Sequence, residues 1–120
     1  MWLIWIYFKL GEDGHIKLAD FGLSKEGIGD NDKTKSFCGS PAYLSPEIIQ
    51  NKGASKSSDI YAIGAVLYEF LTGQPPYYNE DIPKLYRNIR EGKLSYPNNI
   101  SKEAKNLMNV FIICIFLWQK

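Results

Sequence analysis

The sequence predicts a mainly α domain with one short β-strand or hairpin near its N-terminus. Three observations predict it. Past residue 45, apolar residues recur at helical spacing in successive segments bounded by capping serines or stopping glycines. Ahead of them, only residues 15–19 alternate polar with apolar side chains as a half-buried strand does. Between the two lies a polar stretch with no period. The order is one strand unit, a long loop, then helices only.

Gly11-Glu-Asp-Gly14 is a turn sequence whose glycines are free to take positive φ. His15–Ala19 follows as the strand, with Ile16 and Leu18 on one face. Residues 24–35 are rich in Gly, Asp, Asn, Lys and Ser and read as a loop, long enough to be functional or disordered. Pro46–Gln50 forms a short helix with Ser45 as N-cap and Pro46 at its first position. Ser58 caps a strong helix over Asp59–Leu71, closed by Gly73 and Pro75. Its apolar residues (among them Ile60, Ile63, Leu67, Phe70 and Leu71) cover nearly the whole circumference, so this helix should be the buried core. Ile82, Leu85, Tyr86 and Ile89 give an amphipathic helix stopped by Gly92. Ser101 caps a last helix, with Ala104, Leu107, Met108 and Phe111 inward.

Composition bounds the function. The 120 residues carry 14 Lys+Arg against 13 Asp+Glu, a net charge of +1, which excludes binding nucleic acid by bulk charge. The length suits one small domain. The two cysteines, Cys38 and Cys114, are too few for a disulfide scaffold and lack metal-ligand spacing, so a reduced cytoplasmic setting is expected. Both ends are apolar: Met1–Leu10 has no acid, and Val110–Trp118 is unbroken. Neither reaches the roughly 20 residues of a spanning helix, nor does Ile112–Trp118 show the polar face of an interfacial anchor, so no membrane partner is expected.

The chemistry sits in two anchors, 27 residues apart. The strand runs into Asp20-Phe21-Gly22, and the polar loop beyond ends in Phe37-Cys-Gly-Ser-Pro-Ala-Tyr-Leu-Ser-Pro-Glu47. Ser58-Asp-Ile-Tyr-Ala-Ile-Gly64 and Leu71-Thr-Gly-Gln-Pro-Pro-Tyr77 extend the pattern. In this order they resemble the metal-binding and activation segments of protein kinases, over roughly residues 11–112. The phrases around Asp20 and Ser40 look most like the AGC group of serine/threonine kinases. The resemblance implies the helical C-terminal lobe of the kinase fold, use of ATP and magnesium, a protein Ser/Thr substrate and an upstream activating kinase.

Carried over by position, the resemblance makes Asp20 the carboxylate on the magnesium that bridges the ATP phosphates. Phe21 would pack into a hydrophobic spine, and Gly22 would let the backbone turn. Ser36 matches the activation-loop phosphosite, with Thr34 and Ser40 weaker candidates. Gly39, Ser40 and Pro41 match the substrate-docking loop. Glu47 matches a structural carboxylate that pairs with an arginine beyond the last helix, and no arginine follows Arg90. Asp59 resembles the buried aspartate that anchors the catalytic loop; an acid in the first turn of a helix also suits the helix dipole.

Other constellations fail. Residues 30–41 begin like a calcium loop, but Lys35 holds the glycine position and Pro41 the bidentate glutamate position. His15, the one histidine, has no partner at triad spacing.

Kinase chemistry also needs a Gly-rich phosphate loop, a Val-Ala-Ile-Lys strand and a His-Arg-Asp catalytic loop with Asn. None occurs in these 120 residues. Counting back from Asp20, the family's catalytic base falls at Trp2 and its second metal ligand at Tyr7. The chain thus divides into an apolar segment at 1–10 in place of the catalytic loop, a partial kinase domain at 11–112, and an apolar tail at 113–120. Such abrupt departures at both ends are what a misread gene or translated intron would produce. Three readings follow: a truncated kinase C-lobe, inactive alone; a non-catalytic kinase-derived binding module; and, least expected, a small membrane-associated protein using its apolar ends.

Overall fold

A computed structural model describes residues 7–19 and 40–117. Strands β1 (Tyr7–Leu10) and β2 (Ile16–Ala19) form an antiparallel hairpin. Four helices follow: α1 (Pro46–Ile49), α2 (Lys56–Thr72), α3 (Ile82–Glu91) and α4 (Lys102–Leu117). A 3-10 turn, Pro41–Tyr43, precedes α1. The expected mainly α order is the observed one.

The hairpin turn closes through the Gly14 N–H on the Gly11 carbonyl, with Gly14 alone of the pair at positive φ, 78°. The register sets Leu10 against Ile16 and Lys9 against Lys17. Two lysines face to face destabilise a ladder; the Asp13 carboxylate, 3.6 Å from Lys17 Nζ, offsets that. Ile16 and Leu18 share a face as expected, yet both are exposed.

Helix α2 departs from expectation in two ways. It starts at Lys56, so Ser55 is the N-cap and Ser58 lies inside the first turn, where its hydroxyl accepts from the Ser55 N–H at 3.1 Å. The helix is also buried on one side only. Tyr61, Gly64, Ala65 and Tyr68 face inward, whereas Ile60, Phe70 (63% exposed) and Leu71 face out. The tyrosines carry the core because their rings are large and apolar; the Tyr68 hydroxyl also reaches the Ser95 carbonyl at 2.6 Å. Gly73, at φ 86°, ends the helix and donates to the Glu69 carbonyl at 2.7 Å.

Helix α4 packs across α2 at Gly64, where a Cβ would stand 2.6 Å from Phe111 Cβ. Met108 and Ile112 are buried in that seam, Ala104 and Phe111 are half-buried, and Leu107, expected inward, is exposed. The helix starts on Ser101, whose hydroxyl accepts from the Ala104 N–H, and continues to Leu117. Helix α3 is capped by Asp81, whose carboxylate accepts from the Lys84 N–H at 3.1 Å. It buries Leu85 and Ile89 beside Leu44, Ile48 and Ile49, while Ile82 in its first turn stays out. Each such side chain contributes about 1.5–3 kcal/mol by leaving water. No described helix is long and apolar enough to cross a membrane.

Candidate functional site

The described part of the site is the segment from Ser40 to Glu47. Proline at 41 and again at 46 presets φ, so the chain makes a 3-10 turn, extends through Leu44 and Ser45, and enters α1. Leu44, 2% exposed, fixes the middle of the segment in the core. At its near end the Tyr43 hydroxyl donates to Glu69 Oε2 on α2 at 2.5 Å. At its far end Glu47, 2% exposed, accepts from the Ser58 hydroxyl at 2.6 Å. Both anchors stand on α2, eleven residues and about 16 Å apart along its axis. The result is a ledge pinned at two points, with exposed Ser40 and half-buried Pro41 at its lip.

Electrostatics follow from burial. The Tyr43 phenol is pushed up to about 12 by burial, then by its hydrogen bond to Glu69 and that residue's charge. It therefore remains a donor at neutral pH. Tyr61 is driven further upward, chiefly by burial, with Tyr77 and the Glu47 carboxylate adding to it. Its hydroxyl, Ser45 Oγ and Glu47 Oε2 are buried without a hydrogen-bond partner among the described residues. Ser45 occupies the N-cap position of α1 as expected, but its hydroxyl makes no capping bond.

Of the residues expected to act, Ser40, Pro41, Glu47 and Asp59 are described. Asp20, Phe21, Gly22, Thr34, Ser36, Gly39 and Trp2 lie outside the described residues. Glu47 was expected to need an arginine; Ser58 supplies one of its oxygens with a donor instead. Asp59 is buried in the first turn of α2, next to Ser58. Sequence reasoning missed Glu69 and Tyr43. Glu69 had a signal: it is the one charged residue between Ile60 and Thr72, in a helix otherwise apolar there. Among the described residues, no group of three or more His, Cys, Asp or Glu side chains could hold a metal ion.

Comparison with known proteins agrees with this geometry. Residues 8–114 match the model of the protein kinase domain. Over 100 residues the chain is 49% identical to the RAC family serine/threonine-protein kinase homolog of Dictyostelium discoideum, covering 82% of this chain and 22% of that protein. It is 48% identical over 99 residues to serine/threonine-protein kinase YPK1 of Saccharomyces cerevisiae, covering 82% of this chain and 15% of that one. RAC-beta serine/threonine-protein kinase of Homo sapiens is 42% identical over 99 residues, covering 82% and 21%. The chain thus spans less than a quarter of the length of each of these relatives. With the motif order, the helical architecture and these matches in agreement, the chain belongs to the protein kinase family, in its AGC group of serine/threonine kinases.

Proposed function

We propose that this chain is the substrate-presenting part of a cytoplasmic serine/threonine kinase that transfers the ATP γ-phosphate to protein Ser/Thr. The observation that carries the reading is the two-point anchoring of residues 40–47 on α2 through Tyr43–Glu69 and Ser58–Glu47. A ledge held in this way presents exposed Ser40 and half-buried Pro41 in a fixed place, in the same segment whose Tyr43 is bonded to the half-buried Glu69 carboxylate. A peptide lying along it would set a basic side chain against Glu69, with Gly39, Ser40 and Pro41 guiding the residue that follows.

On this reading Asp20 would hold the magnesium that supplies charge neutralisation to the ATP phosphates, with Phe21 and Gly22 as its motif partners, and Asp59 would anchor the loop that carries the catalytic base. Ser36 takes a phosphate from an upstream kinase. The 120 residues contain no Gly-rich phosphate loop, Val-Ala-Ile-Lys strand or His-Arg-Asp base. Loss of a general base alone costs about 10²- to 10⁴-fold, and loss of the phosphate clamp removes most of what catalyses phosphoryl transfer. The chain alone is therefore inactive.

Two assays on the purified chain test this. An NMR titration with a generic arginine-containing peptide should shift the amides of Ser40 to Tyr43 and Glu69, and Glu69→Gln should weaken binding. Radiometric phosphate transfer should stay at the blank. Binding indifferent to Glu69→Gln sinks the presenting role; turnover above the blank sinks the inactivity. The second reading, a non-catalytic binding module, is favoured by Trp2 and Tyr7 at the positions where the catalytic base and second metal ligand would fall. Absence of Mg·ATP affinity together with stable folding would select it.

A further inference from the structure

Away from that ledge, the C-terminal end of α2, the loop after it, α3 and the residues following α3 enclose a half-open cavity of about 580 Å³. That is within the size range of ligand sites, about 300–1,000 Å³. Four tyrosines line it, Tyr68, Tyr77, Tyr78 and Tyr96, together with Pro75 and Pro97. The hydroxyls of Tyr68 and Tyr96 are held by the protein, on the Ser95 carbonyl at 2.6 Å and on Asn109 Oδ1 at 2.7 Å. Their rings, 5.6 Å apart and tilted by 45°, are thus fixed as surface. Tyr77 holds φ at 61°, a left-handed conformation that is costly for a bulky residue, and Asn88 Nδ2 donates to its carbonyl. Strain of this kind persists where its surroundings impose it, and it concentrates at functional sites.

Several backbone carbonyls of the groove are already engaged. The Tyr68, Gln74, Tyr77 and Ser95 carbonyls already accept side-chain hydrogen bonds from within the groove wall. The Tyr77 and Tyr78 hydroxyls have no hydrogen-bond partner among the described residues, so they remain to donate. Among the described residues, Lys93 is the one charged residue of the lining, and no carboxylate lines the groove opposite it. With these backbone carbonyls engaged and Lys93 at the wall, the groove suits an occupant that brings acceptors and negative charge and few backbone N–H groups, because a buried donor without an acceptor is costly. Proline lacks that N–H and keeps its carbonyl. Aromatic-lined grooves are also the surfaces on which extended proline-rich segments dock.

We propose that this groove binds an acidic, proline-rich peptide segment in the polyproline II conformation, its prolines on the tyrosine rings and a carboxylate on Lys93.

The test is an NMR titration of the full chain with acetyl-Glu-Pro-Pro-Glu-Pro-Pro-amide, and with versions carrying Lys for Glu or Ala for Pro. The expected result is saturable shifts at Tyr77, Tyr78, Lys93 and Tyr96, and binding about tenfold tighter than either control. Lys93 is exposed, so Lys93→Glu should leave the circular dichroism unchanged and invert the charge preference. Tyr78→Ala, also at an exposed site, should weaken binding without changing that preference. Absence of binding, equal binding of both charged peptides, or indifference to Lys93→Glu overturns the proposal. So do the same shifts appearing on raising protein concentration alone, since the groove would then be a contact between copies. None of these readouts depends on phosphoryl transfer or on the ledge at residues 40–47.

Discussion

The Ser58 hydroxyl joins two elements at one atom: it accepts from the Ser55 N–H at the start of α2 and donates to the buried Glu47 carboxylate of α1 at 2.6 Å. One side chain thus starts the long helix and holds the short one against it.

Ser58→Ala removes both bonds and leaves the Glu47 carboxylate buried with neither oxygen paired among the described residues. A hydrogen bond to a charged group and a helix cap together predict a loss of about 3 kcal/mol. Glu47→Gln keeps an acceptor for Ser58 and removes the buried charge, so its effect should stay within about 1 kcal/mol. Urea denaturation of both variants checks the pair. Equal losses would mean that the Ser58–Glu47 bond does not hold α1.

Alkaline pH should unfold the chain earlier than its ionic contacts suggest. Burial pushes Tyr43, Tyr77 and Tyr96 up to about 12, and Tyr61 higher still. An unfolded chain gives up these protons near pH 10, while the folded chain retains them. Above that pH the unfolded state binds fewer protons, so stability is full below about 10 and falls as pH rises toward 12. Melting temperatures at pH 8, 10 and 11 should decline in step. Tyr43→Phe should lower stability at pH 8, because it loses the bond to Glu69, and should make the alkaline decline shallower. A decline unchanged by Tyr43→Phe would show that this phenol does not contribute.

Close packing of α2 on α4 depends on the absence of a side chain at residue 64. A Cβ there would lie 2.6 Å from Phe111 Cβ and 3.0 Å from Ile112 Cγ1. Gly64→Ala gains about 1 kcal/mol of helix propensity, against an overpacking cost of about 1–3 kcal/mol. The expected net is a loss of about 1 kcal/mol, and Gly64→Val should cost more. A stabilised Gly64→Ala protein would mean the two helices are free to part.

How far the sequence spoke depended on how local the signal was. The hairpin turn at Gly11–Gly14, the entry to α1 at Pro46 and the stops at Gly73 and Gly92 are properties of neighbouring residues, and they were legible. Which face of α2 is buried is not local. Ile60, Phe70 and Leu71 are as apolar as any core residue, and only the positions of α4 and the 40–47 segment select Tyr61, Ala65 and Tyr68 instead. Ser58 illustrates the same limit: serine at 55, 57 and 58 offers three caps, and the choice rests on Glu47 eleven residues away. The ledge residues Ser40, Pro41 and Glu47 were identified by motif, whereas Tyr43 and Glu69 emerged only once α2 and the turn were side by side.

Tyr61 separates a core hydroxyl that is used from one that is not. Its ring is fully buried on α2, yet its hydroxyl has no hydrogen-bond partner among the described residues. A buried polar group left unpaired costs about 1–3 kcal/mol relative to water. Tyr61→Phe keeps the ring and removes that cost, so it should raise stability by about 1 kcal/mol, the opposite sign to Tyr43→Phe. It should also lessen the alkaline decline, since the most strongly shifted phenol is gone. Urea denaturation at pH 8 reads the sign directly. A destabilised Tyr61→Phe protein would mean the hydroxyl is bonded after all, to an ordered water or to a group beyond the described residues. A rise would show that the ring alone is what this position of α2 requires.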